Sequence, residues 1–386
     1  MRNVFAGRTG ILMAGGLIGL TAALLQYAGN PANMGICVAC FVRDIAGALG
    51  LHRAETVQYL RPELPAFVLG SLGAALASGE FRARAGSAPA TRFFLGMCAM
   101  AGALVFLGCP WRALLRLAGG DGNALFGIAG LATGVFVGTR FFKAGFSLGR
   151  TQEQKSSAGI MIALAALLLL ALRLAYPPAE PVLAAAAPAA GLVPAAGVLP
   201  IVPLASPPLT LSWIWSSLKG PGAAHAPLIA SLAGGLVIGV LAQRSRFCTM
   251  GALRDLFLFR QMHLLSGVLA FVAVAFAANL VLGQFKPGFA GQPIAHTQSL
   301  WNFLGMVVSG VAFALAGGCP GRQLILAGEG DGDSAVFALG MLTAAALAHN
   351  MGWASSPAGI GPNGMIAALV SLGFCLFVGF TNLKKA

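Results

Sequence analysis

The sequence predicts an all-α polytopic membrane protein, and three observations carry that prediction. The 386 residues are 58% hydrophobic and only 9% charged, whereas a soluble domain carries roughly 25% charged residues. Apolar runs of about 20 residues recur along the chain, long enough to cross hydrocarbon. These runs are continuously apolar rather than alternating, which predicts helices and not a β-barrel. The 53 glycines and 21 prolines fit closely packed and interrupted helices.

The elements fall in two sets of five. The first half offers spans over 9–28, 62–79, 92–107, 123–140 and 157–176. The second offers 227–243, 263–283, 300–316, 334–349 and 365–382. The first run has no small-x-small cleavage signal and is expected to remain as a span. Between the halves lies "YPPAEPVLAAAAPAAGLVPAAGVLPIVPLASPP", whose prolines forbid a straight helix. The expected organisation is a transmembrane repeat over 1–176, a Pro/Ala-rich linker over 177–225 and a second transmembrane repeat over 226–386.

The repeat is visible in the motifs. "GCPWRALLRLAGGDG" (108–122) matches "GCPGRQLILAGEGDG" (318–332), and "CVACFVRD" (37–44) matches "CTMGALRD" (248–255). "AGGLIGL" (14–20) likewise matches "AGGLVIG" (233–239). The Cys-bearing segments are too short and too Gly/Pro-broken to span, so half-helices or re-entrant loops are expected there. Five spans per half is an odd number, which predicts two inverted repeats.

Charge supports the inversion. A net charge of +13 would suit a nucleic-acid binder, but Lys and Arg also concentrate in cytoplasmic loops of membrane proteins. With both termini cytoplasmic, cationic residues favour that side by about two to one. Nucleic acid is therefore not an expected partner; the lipid bilayer is.

Four cysteines occupy repeat-equivalent places: Cys37, Cys109, Cys248 and Cys319. The inverted arrangement brings Cys37 and Cys109 in from the outer side, and Cys248 and Cys319 from the cytoplasmic side. Cys40 faces Gly251 in the other copy, while Cys98 and Cys375 lie mid-span and read as packing residues. Arg43-Asp44 and Arg254-Asp255 repeat, as do Arg112 and Arg322. Arginine at membrane depth is a fork for an oxyanion, or else a residue that ties loops together or snorkels to the interface. Asn33 and Met34 precede the first Cys loop and are candidates to line it. Asp121 and Asp331, in the G-D-G turns, are expected to cap the following helices. No zinc-like Cys/His spacing, phosphate loop or G-x-S-x-G is present, so no metal, cofactor or enzymatic chemistry is expected from them. Thiols are soft groups and suit a solute with a terminal sulfur or selenium better than a hard oxyanion.

In these motifs the chain resembles the YeeE/YedE family of bacterial inner-membrane proteins. The "GCP" loops, "CVACFVRD" and the two-fold repeat carry the resemblance, and "NMGICVACFVRDIAGALGLHRAETVQYLRPE" resembles its YedE branch. The resemblance implies uptake of a thiosulfate-like or selenium-containing anion through an hourglass-shaped protein with cysteines at its centre. Cys37, Cys109 and Cys319 would be the pathway thiols, with Cys248 a fourth. A cytoplasmic sulfur or selenium carrier is a further expected partner, docking on basic segments 82–92 and 140–155. The competing expectation is a membrane thiol oxidoreductase using Cys37 and Cys40 as a dithiol.

Overall fold

The computed structural model describes residues 5, 7–178 and 214–383. Most of the expected linker, and the last three residues, lie outside the described residues.

Each half folds into seven helices of matching lengths. The first half holds α1 (Arg8–Tyr27), α2 (Val38–Ala48), α3 (Glu63–Ala77), α4 (Pro89–Phe106), α5 (Pro110–Ala118), α6 (Asn123–Lys143) and α7 (Ser156–Ala175). The second holds α8 (Leu228–Ser245), α9 (Thr249–Phe259), α10 (His263–Val281), α11 (Ser299–Ala316), α12 (Pro320–Gly328), α13 (Gly332–Asn350) and α14 (Pro362–Thr381). The Cys-bearing segments are the short members: α2 and α9 have 11 residues each, α5 and α12 nine each. The sole sheet among the described residues is a two-stranded pair, β1 (Arg84–Ala85) with β2 (Gln152–Glu153).

Among the described residues, nine helical segments are long and apolar enough to cross a membrane. The ten expected runs lose one. The run expected over 62–79 forms only the 15-residue α3, about 22 Å long at 1.5 Å per residue. Pro62 sets its start, and Ser78 and Gly79 turn the chain out of it. Three spans are discontinuous, α4 with α5, α8 with α9 and α11 with α12, each broken at a thiol-bearing turn.

The halves interlock rather than sit side by side. α1 packs on α10 as α8 packs on α3; α6 packs on α11 as α13 packs on α4. Two glycines permit the first of these pairings: a Cβ on Gly19 would strike the Phe271 carbonyl, and one on its counterpart Gly239 the Phe67 carbonyl. The G-D-G turns are also exchanged. Residues 82–87 bind the turn of the second half, with Arg82 N donating to Glu329 O (2.9 Å) and Ser87 N to Asp333 Oδ2 (2.9 Å). Residues 286–289 bind the turn of the first, with Lys286 N donating to Gly119 O (2.9 Å). Asp331 caps α13 by accepting from Ser334 N at 2.9 Å. Asp121 lies one residue before the geometric cap of α6, Gly122, yet still accepts from Asn123 N at 2.9 Å. The pairing breaks only at the last helices: α7 leans on α3, whereas α14 packs on α4 and α11.

Candidate functional site

All four repeated cysteines are helix N-caps. Cys37 opens α2, Cys109 opens α5, Cys248 opens α9 and Cys319 opens α12. The sequence explains the breaks. In each G-C-P, proline takes the first helical position, where its missing N–H costs nothing and its fixed φ suits a helix start. In the other two segments the thiol itself caps the helix: Cys37 Sγ accepts from Cys40 N (3.4 Å) and Cys248 Sγ from Gly251 N (3.2 Å). Helix N-termini concentrate unsatisfied N–H donors and a partial positive charge, which favours anions.

The N-termini converge in two pairs. Cys37 and Cys109 place their sulfurs 3.7 Å apart, and Cys248 and Cys319 theirs also 3.7 Å apart. All four are free thiols and buried. Each pair therefore joins two helix starts from within one half. Cys40 points elsewhere, its Sγ lying 3.9 Å from Leu107 O and 3.5 Å from Arg112 Nη1. Cys98 and Cys375 are buried in α4 and α14, away from both pairs.

Trp111, beside the first pair, reaches residues next to the second. Two residues past Cys109, it is 1% exposed and packs edge-on against Phe67 and against Phe247, the neighbour of Cys248. A Cβ on Gly321, two residues past Cys319, would come within 2.7 Å of the indole. Trp111 and Gly321 occupy the same place in the repeat, so one large ring fills the space facing its own missing counterpart.

The arginines divide by partner. Arg43 donates through Nη2 to Asp44 Oδ1 at 2.7 Å, and Arg61 through Nη2 to Asp44 Oδ2 at 2.7 Å, all three buried. Arg254 pairs with Asp255 at 2.8 Å, half-exposed. Arg322 joins a network, donating to Glu329 Oε1 at 3.3 Å beside Arg246, which reaches the same oxygen at 2.8 Å. Arg112 differs from all of these. It is fully buried and donates to carbonyls, Leu107 O, Asn33 O (3.3 Å) and Ile294 O (3.1 Å), with no carboxylate in ion-pair range among the described residues. Asn33, at φ 55°, presents that carbonyl from a left-handed turn that asparagine tolerates. Met34, also buried, accepts from Cys37 N at 2.6 Å and so fixes the start of α2.

Arg43, Arg61, Arg112 and Arg116 are all buried, Arg116 in an ion pair with Asp121 at 2.6 Å. On the opposite face, Arg84 pairs with Asp331 at 2.7 Å and Arg92 donates to Ala316 O at 2.8 Å. Part of basic segment 82–92 is thus committed within the chain. Glu80 anchors the same face: burial opposes its charge, but the Gln243 amide and the Arg246 and Arg244 guanidiniums hold its carboxyl below the usual range.

Sequence reading missed two residues, Trp111 and the buried carboxylate of Glu63. The signal for each was present as an asymmetry, Trp against Gly in the two G-C-P-x-R motifs, and an acidic residue at the start of an apolar run.

Comparison with known families bears on what these thiols serve. The sulphur transport family model matches residues 244–379. That is the YeeE/YedE family, and the matched region holds Cys248, Cys319, Arg254 and Arg322. No curated protein matches the chain.

Proposed function

We propose that this chain imports a small sulfur- or selenium-bearing anion, of the thiosulfate type, across a bacterial inner membrane. The observation that carries the reading is the placement of four thiols as two pairs at converging helix N-termini in the interior of a helical membrane protein. Irregular backbone at membrane depth is tolerated where it is packed in protein or lines a pathway. Here each interruption carries a thiol and a set of N–H donors. The helix starts supply positive potential for the anion, and the sulfurs supply soft contact for its terminal chalcogen.

In this reading the halves are inverted repeats with both termini cytoplasmic. The solute meets Cys37 and Cys109 first, passes Trp111 and leaves by Cys248 and Cys319. No bond to the solute is made or broken; S–H contacts hand it on. Arg112, without a carboxylate partner, supplies a fixed positive charge beside the first pair. Arg322, Arg43 and Arg254 shape the same route through neutralised pairs. Asn33 and Met34 hold the turn before Cys37. The oxyanion-passing role is favoured over a Cys37/Cys40 dithiol because the Cys37–Cys109 contact at 3.7 Å is repeated by Cys248 and Cys319, and because Cys40 has no counterpart in the second half.

The test is whole-cell uptake of labelled thiosulfate, selenite and selenide by the full chain. Expected is uptake of one or more of these that disappears in both Cys109→Ala and Cys319→Ala at unchanged membrane protein levels. Normal uptake in both variants would overturn the reading.

A further inference from the structure

Glu63 is a buried carboxylate that the route above does not use. It opens α3 and is 3% exposed. Its Oε1 accepts from Asn30 Nδ2 and from Ser231 Oγ, each at 2.9 Å, while its Oε2 has no partner. Among the described residues, the other buried carboxylates, Asp44, Asp121, Glu329, Asp331 and Asp333, each have an arginine within 4.0 Å. Glu63 has none. A buried charge without a counter-ion is costly.

Its position gives a proton on this carboxyl something to act on. Glu63 and Trp111 line one small cavity of about 20 Å³ together with Val38, Phe41 and Phe67. Val38 follows Cys37, and Trp111 lies two residues past Cys109, so the cavity adjoins the first thiol pair. The Trp111 Nε1–H is also buried without a partner. Two unsatisfied polar atoms thus belong to residues of the same cavity. The second half has no equivalent acid. Phe67 and Phe271 meet Gly239 and Gly19 in the same way, and four residues earlier stand Glu63 in one half and Gly267 in the other.

Polar groups lie on one side of the carboxyl. A second cavity, of about 50 Å³, is lined by Tyr59, Arg173 and Tyr176. Tyr59 stacks on His225 at 4.6 Å between ring centres, and Ala226 N donates to Asn30 Oδ1 at 2.9 Å. Asn30 in turn donates to Glu63. The titratable groups around Glu63 are Tyr59 and Arg61 on its own approach, His225 ahead of α8 and Arg173 from α7. Arg61 is committed to Asp44 and to the carbonyls of Pro221 and Ala224, and Arg173 donates to the Tyr59 hydroxyl at 3.3 Å. α2 and α5 present only apolar groups and the indole to the cavity.

We infer that Glu63 is a proton-binding site that couples passage of the anion to movement of a proton. An ionised Glu63 repels an anion at the neighbouring thiol pair, and a protonated one does not, so proton and anion favour one another's binding. The proton arrives by the Tyr59–His225 side, resides on the carboxyl while the anion passes, and is released afterwards. This rests on the transport reading above.

The experiment uses the full chain in proteoliposomes loaded with a pH-sensitive dye and supplied with labelled thiosulfate. An acid-outside gradient is expected to raise wild-type uptake at least tenfold and to acidify the lumen as thiosulfate enters. Glu63→Gln, which fixes the neutral form, is expected to lose both responses. A wild type indifferent to the gradient, or a gradient-driven Glu63→Gln, overturns the proposal. Failure of thiosulfate to enter wild-type vesicles at any pH would instead count against the transported solute. The proton site is then read alone by infrared spectroscopy across a pH titration. Expected is a buried-carboxyl C=O band that titrates in wild type and is missing in Glu63→Gln; absence of that band from wild type overturns the proposal.

Discussion

The two thiol pairs share a spacing and differ in everything around them. Cys37 and Cys109 lie beside a lone guanidinium, Arg112, and a third thiol, Cys40, and the residues next to them share a cavity with an unpaired carboxylate, Glu63. Cys248 and Cys319 lie beside Arg322, which shares Glu329 with Arg246 and Arg84. The first pair is thus set among unpaired charges and the second among paired ones. A repeated fold needs both halves to pack alike; a pathway with a direction needs its two ends to differ. The repeat supplies the common scaffold, and the substitutions within it supply the asymmetry.

The comparison breaks most decisively at the thiols. If both pairs carry the solute, Cys109→Ala and Cys319→Ala each abolish uptake, and the loss is equal despite the different surroundings. A defect confined to one variant would confine the pathway to one half. Assayed beside them, Cys40→Ser sharpens the point: uptake is expected to stay within about twofold of wild type, because the second half has Gly251 in place of this thiol. A dead Cys40→Ser would restore the dithiol reading.

Next in size is the contrast between the two Arg-Asp motifs. Asp44 neutralises both Arg43 and Arg61 inside the protein. Asp44→Asn leaves two buried guanidiniums short of a counter-charge, and removing one partner of such a group costs about 3–5 kcal/mol. The expected outcome is loss of folded protein from membranes, seen as a collapsed size-exclusion peak in detergent.

How far the sequence disclosed this arrangement follows from which forces set each feature. The four cysteines were legible because they recur in fixed strings with a helix-starting proline or a capping position, both local effects. The all-α membrane fold was legible from hydropathy alone. The shortened α3 was not, since its ends depend on Pro62 and on the turn at Gly79, while the apolar run continues past neither. Trp111 and Glu63 were not singled out because their meaning lies in what faces them from the other half, Gly321 and Ser231. The distinction between Arg112 and Arg322 was hidden for the same reason: the motif G-C-P-x-R is common to both, but Glu329 has glycine at its repeat position, Gly119.

Trp111 offers a thermodynamic test of that cross-half contact. Gly321→Ala places a methyl within 2.7 Å of the indole, and overpacking of this kind costs typically 1–3 kcal/mol. The apparent melting temperature in detergent should fall. In the double variant with Trp111→Ala the clash has no partner, so the alanine at 321 should then cost little. A strong positive coupling in this double-mutant cycle is expected. Additive losses would mean that the ring and the α12 start do not share one space.

The smallest effect is expected at the second Arg-Asp motif. Arg254 and Asp255 pair at 2.8 Å, but their side chains are 35% and 18% exposed, and no second arginine joins them. Water screens such a pair, which is worth at most about 1 kcal/mol. Asp255→Asn should therefore leave folded protein in the membrane and shift its melting point by no more than a few degrees, where Asp44→Asn removes it. If the motif serves only to brace α9, uptake by Asp255→Asn should match wild type. If Arg254 instead faces the solute, freeing it from Asp255 should change uptake at low thiosulfate concentration while stability stays put. That split between uptake and stability separates a pathway charge from a structural tie, which the buried copy, with its fold at stake, does not allow.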